Sequence, residues 1–172
     1  MEEQVSVKSV GIKYGLILGL FYIGYSLILQ ITGLAAEQSL GYLSLVFMIA
    51  ILVFAYKEYK GYTGGYMKLG QGIGLGMLIV LISSVFSSIF TYIYLKFIDD
   101  SMIQLILETA REGMVTNPDL SDAQIEQAMS MTANFTTPEM ILVFGMISSL
   151  FFGFLISLVM SLIFKKDYPD SY

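Results

Sequence analysis

The chain has 172 residues, 56% apolar and 13% charged, with a net charge of −5 and neither cysteine nor histidine. A soluble domain of this size carries about a quarter charged residues, so these proportions exclude an ordinary soluble fold. The missing side chains exclude disulfides, thiol chemistry and soft metal sites, and the net acidity argues against nucleic acid, which is bound by clustered cations.

Four long apolar runs occupy most of the chain, at about 10–34, 40–56, 70–95 and 138–164. At a rise of ~1.5 Å per residue, ~20 residues cross the ~30 Å hydrocarbon core. Seven of the nine cations lie on one side of these runs: Lys8, Lys13, Lys57, Lys60, Lys68, Lys165 and Lys166. Lys96 and Arg111 lie on the other. Lys and Arg resist translocation, so the pattern predicts a multi-pass protein with both termini cytoplasmic. The first run is too long for the apolar part of a signal peptide and reads as a retained anchor. One membrane domain, 1–172, accounts for the length.

In chain order, a polar tail, 1–9, leads into span 1. A tight outer turn, 35–39, holds Glu37, and span 2 returns as the shortest run. The inner segment 56–68 alternates Tyr with Lys. Between two spans this reads as an interfacial belt of rings and ammonium groups and as no nucleic-acid site. Span 3 closes at Lys96, whose ammonium snorkels to the interface. An extracytoplasmic insertion, about 97–137, follows. Asp99 or Asp100 is placed to cap a helix with apolar residues at Met102, Ile103, Leu105, Ile106, Ala110 and Met114. Asn117-Pro118 interrupts it. Ser121 and Gln124 have capping-box spacing and open a second helix. Pro138 and Glu139 suit the first turn of span 4. Two amphipathic helices between spans 3 and 4 are therefore expected.

Small residues recur at every fourth position: Gly145, Ser149, Gly153, Ser157 and Ser161 in span 4, Gly11, Gly15 and Gly19 in span 1, and Gly72 and Gly76 in span 3. Lipid gives helices no hydrophobic reason to associate, so close backbone approach through small side chains supplies the contact. These stripes serve either packing within the bundle or a membrane partner or second copy, with span 4 the candidate for the latter. Span 3 also carries Ser83, Ser84, Ser87, Ser88 and Thr91. Such hydroxyls usually bond back to their own helix, and the alternative is a polar path. A repeat is visible in Lys13-Tyr-Gly15-Leu-Ile-Leu-Gly19 and Lys68-Leu-Gly70-Gln-Gly-Ile-Gly74. A duplicated hairpin explains it, with chance matching in low-complexity sequence as the alternative.

No Asp, Glu, Lys or Arg falls in the middle of a run, which weighs against ion coupling. No catalytic, cofactor or metal motif is present. Asp99-Asp100 offers too few oxygen ligands for a hard cation, and Asn134-Phe-Thr136 matches a glycosylation sequon that chance also produces.

The Lys13-Tyr-Gly-Leu-Ile-Leu-Gly opening, the Tyr56-Lys-Glu-Tyr-Lys end of span 2, the segment 67–76 and the Lys165-Lys166 ending together resemble the family termed domain of unknown function 4199, bacterial inner-membrane proteins. The resemblance implies four spans with a helical insertion before the last, and no established activity. The expectation is an all-α membrane protein, a four-transmembrane-helix bundle in the bacterial cytoplasmic (inner) membrane. Its expected role is a non-catalytic assembly or accessory subunit packing through the small-residue stripes. A small passive channel or transporter lined by the Ser/Thr face of span 3 is the alternative. No cofactor is expected, and the partners are the lipid bilayer and a membrane protein or second copy.

Overall fold

A computed structural model describes residues 6–34 and 37–167. In hydrocarbon an apolar run must satisfy its own backbone N–H and C=O groups, which a helix does. Six α-helices form, with no strand among the described residues: α1 (Val7–Ile31), α2 (Gln38–Tyr62), α3 (Leu69–Phe97), α4 (Ser101–Val115), α5 (Asp122–Phe135) and α6 (Pro138–Phe164). Helices α1, α2, α3 and α6 are long and apolar enough to cross a membrane. The chain is an all-α, four-span membrane protein with two further helices between the third and fourth spans. Part of the expected 35–39 turn, Ala35 and Ala36, lies outside the described residues, as do residues 1–5 of the expected tail.

Local chemistry sets the helix ends. Helix α1 starts three residues before the apolar run because Ser6 caps it, its hydroxyl accepting from the Ser9 amide at 3.2 Å. It stops at a Schellman motif. Gly33 takes φ +71°, and the amides of Gly33 and Leu34 donate to Gln30 O and Leu29 O at 3.1 and 2.9 Å. Helix α2 runs to Tyr62, through residues expected to form the inner belt. The stretch Tyr56-Lys-Glu-Tyr-Lys contains no helix breaker, and continuing the helix buries Tyr56 and Tyr59. The stop comes at Gly64 and Gly65, both at positive φ, with the Gly65 amide donating to Lys60 O at 2.7 Å. Met67 and Lys166 then exchange two backbone hydrogen bonds, 2.9 and 3.0 Å.

The chain forms two compact units. One comprises the sequence up to Ser87 and from Met146 onward; the other is Ser88–Gly145. The core of the first joins Leu18 of α1, Leu52, Ala55 and Tyr56 of α2, Leu75, Ile79 and Val80 of α3, and Met160 of α6. Phe21 and Phe47 bring α1 to α2 with ring centroids 4.0 Å apart.

In the second unit, Ser121 makes the expected capping box with Gln124. Asp100 occupies the N-cap of α4 but does not cap through its side chain. Its carboxylate accepts from Gln104 Nε2, while Asp99 accepts the Ser101 amide at 2.9 Å. That amide bond holds the Asp99 carboxyl below the usual carboxylate range. Lys96 donates to Glu139 at 2.6 Å and to the Tyr92 hydroxyl at 2.6 Å, which ties the end of α3 to the first turn of α6.

Candidate functional site: interlocked helices and a hydroxyl-lined cavity

Within the first unit the small-residue positions interlock on α3. A Cβ built at Gly11 would lie 2.5 Å from Leu78 Cδ2, at Gly15 2.8 Å from Ile82 Cβ, and at Gly19 3.2 Å from Phe86 Cβ. The constant offset is that of parallel helices. On α6 the order reverses: Gly72 faces Ser161, Gly76 faces Ser157, and Val80 faces Gly153. These two α3 registers are two residues apart, ~200° around a helix at ~3.6 residues per turn. Helix α3 is thus clasped on opposite faces by α1 and α6.

The glycines at these positions are required for space. A carbon–carbon contact settles at ~3.5–4.0 Å, so a side chain at Gly15 would force the helices apart, while at Gly11 the tip of Leu78 must turn away and at Gly19 the neighbours must give by a few tenths of an ångström. The matched glycines of the internal repeat are not equivalent in this respect. Gly15 and Gly19 are packed, while Gly70 and Gly74 have nothing within 4 Å. Along the α6 series, Gly153, Ser157 and Ser161 are buried. Ser149 is half-buried and donates to Met146 O at 2.9 Å. Gly145 is exposed with nothing within 4 Å.

Tyr56 closes the interlock. It is fully buried, and its hydroxyl donates to Gly72 O at 2.9 Å, with Ser161 Oγ at 3.2 Å and Ser157 O at 3.4 Å. One phenol therefore links α2 to α3 and α6. Ser157 Oγ is buried without a hydrogen-bond partner and sits against the bare Cα of Gly76, where a weak Cα–H···O contact is the available interaction. Nearby, Lys13 grips both carboxylate oxygens of Glu58 at 2.9 and 2.7 Å, and Tyr14 donates to the same carboxylate at 2.7 Å. Glu58 lies in the part of α2 expected to be a loop. Lys60 donates to Phe164 O at 3.0 Å and satisfies the end of α6.

Toward the other end of this unit lies a cavity of about 170 Å³. Ser83, Ser84 and Ser87 of α3 line it, with Ser44 of α2, Ser149 of α6 and Tyr22 of α1. Leu45, Met48, Val80 and Phe152 supply apolar wall. Ser83, Ser84 and Ser87 of the expected polar face are brought together here. Ser88 and Thr91 are half-buried and fall in the other unit. Ser83, Ser84 and Ser87 donate to Val80 O, Leu81 O and Ser84 O at 3.0, 3.0 and 3.3 Å, each bonding back to its own helix. Tyr22 and Ser44 were not legible as site residues, since each is an isolated polar residue in an apolar run. Among the described residues no three of Asp, Glu, His or Cys come close enough to hold a metal ion.

No curated protein and no solved structure matches this chain. A family model described as a protein of unknown function (DUF4199) matches residues 13–166. The interlocked helices and their cavity lie almost wholly within that stretch, and the chain belongs to this family.

Proposed function

We propose that the protein is a non-catalytic component of the bacterial cytoplasmic membrane that acts by association, with a membrane protein partner or a second copy, through the outer face of α6. The Lys-rich ends of its spans would face the cytoplasm, in line with the distribution of cations. The observation that carries this reading is the burial of α6. Only 11% of its most apolar stretch is buried within the chain, against 17% for α1, 22% for α2 and 33% for α3. Gly153, Ser157 and Ser161 are engaged by α3, so the partner surface shifts from the stripe to the opposite side. There Phe151, Leu155, Val159 and Leu162 are exposed.

Native mass spectrometry of the tagged protein from its own membranes, with a photo-crosslinker at Phe151 or Leu155, tests this. A stoichiometric partner or defined homo-oligomer crosslinked through α6 supports the reading. A lone monomer crosslinking only to lipid overturns it. The cavity at Ser84 and Ser87 favours a second reading, a passive path. Against passage, Leu52, Tyr56, Leu75 and Ile79 are fully buried between the cavity and the Lys-rich end. Flux into liposomes that is abolished by Ser84→Leu and Ser87→Leu would establish the path, and its absence in the unmodified protein would exclude it.

A further inference from the structure

The cavity has a chemical bias that neither reading uses. A serine or tyrosine hydroxyl carries one proton, and a backbone carbonyl can only accept it. Besides the three α3 serines, Ser44 donates to Gly41 O at 2.6 Å, Ser149 to Met146 O at 2.9 Å and Tyr22 to Ser44 O at 3.3 Å. All six hydroxyl protons are committed to the helices themselves. What these groups retain is acceptor capacity, in a wall otherwise made of Leu45, Met48, Val80, Phe152 and Gly153.

We propose that this cavity binds a small, mainly apolar molecule bearing one hydrogen-bond donor, of which a phenol is the simplest representative. The size fits: an apolar cavity of ~150 Å³ accepts benzene, and this one is about 170 Å³. The polarity fits as well. A donor pairs with a serine oxygen without breaking an intrahelical bond. A ligand that only accepts finds no free proton, and a lipid acyl chain leaves the oxygens unpaired. The two Ser-bearing faces of α2 and α3 and Ser149 of α6 converge on one volume, so the bias belongs to the cavity and not to a single helix.

The test is fluorine NMR of the full chain in lipid nanodiscs, titrated with 4-fluorophenol and with its donor-less analogue 4-fluorotoluene, using protein-free nanodiscs to subtract partitioning. Saturable binding is expected, with the phenol favoured by about fivefold, the worth of one net hydrogen bond. Ser87→Leu and Ser149→Leu, which fill the space from different helices, should each abolish it. Removing all six hydroxyls together, with Ala at Ser44, Ser83, Ser84, Ser87 and Ser149 and Phe at Tyr22, should retain the toluene affinity and bring the ratio toward one; it keeps the test informative even if a Leu variant fails to fold. Equal affinity for the two probes, no saturable binding above empty nanodiscs, or binding that survives both Leu fillers would overturn the assignment. A preference unmoved by removal of all six hydroxyls would overturn it too.

Discussion

Gly15→Ala, set against Gly24→Ala in the same helix, isolates the physics of the interlock. At Gly24 nothing lies within 4 Å of an added Cβ. At Gly15 the Cβ would stand 2.8 Å from Ile82 Cβ and 3.2 Å from Ile79 O. Neither neighbour is the free end of a flexible side chain, so relief requires moving backbone. Restoring a normal carbon contact of ~3.5–4.0 Å pushes α1 off α3 by roughly 1 Å, which also loosens Gly11 against Leu78 and Gly19 against Phe86. Overpacking of this kind costs about 1–3 kcal/mol. Replacing glycine inside a helix returns up to about 1 kcal/mol, a gain both variants share. Gly15→Ala should therefore be less stable than Gly24→Ala by about 1–3 kcal/mol. Reversible unfolding in mixed micelles, followed by circular dichroism over an SDS titration, measures the difference. Equal stabilities, or a more stable Gly15→Ala, would refute the claim that α1 and α3 meet through this glycine series.

Tyr56→Phe keeps the ring and deletes the hydroxyl that reaches Gly72 O; interhelical hydrogen bonds in membranes are worth ~0.6 kcal/mol on average and ~1.7 at most, so the same unfolding assay should show a loss of that order, and no loss would deny Tyr56 its linking role. Ser121→Ala removes one half of the capping box on α5 and should lower local stability by about 1 kcal/mol, read as faster amide exchange over the first turn with α4 unchanged. Asp99 titrates with a folded value held below the usual range by the Ser101 amide. The ionised form is the stabilised one, so its contribution is present above the ordinary carboxylate value of ~3.9 and is lost as pH falls through the lowered one. A carboxyl-carbon NMR titration should give a midpoint below that of the same residue in a short peptide, and an equal or higher midpoint contradicts the bond.

What the chain determines by itself is what a helical turn or an apolar run can carry. The four spans, the Ser121–Gln124 capping box and the start of α6 at Pro138 rest on residues within a few positions of one another, and hydrocarbon leaves an apolar run no cheaper conformation than a helix. The extension of α2 through Tyr59 is not legible in the sequence because Tyr and Lys suit both an interfacial belt and an amphipathic helix end. Only the buried neighbours of Tyr56 on α3 and α6 favour the latter. Spacing likewise marked Gly15 and Gly70 as alike, yet one is pressed against Ile82 and the other meets nothing. Periodicity fixes which residues share a face, whereas the identity of the opposing helix depends on pairs such as Gly76 and Ser157, far apart in the chain. The cavity belongs to the same class: Tyr22, Ser44, Ser84 and Ser149 sit on four different helices, and only tertiary packing gathers their oxygens around one space.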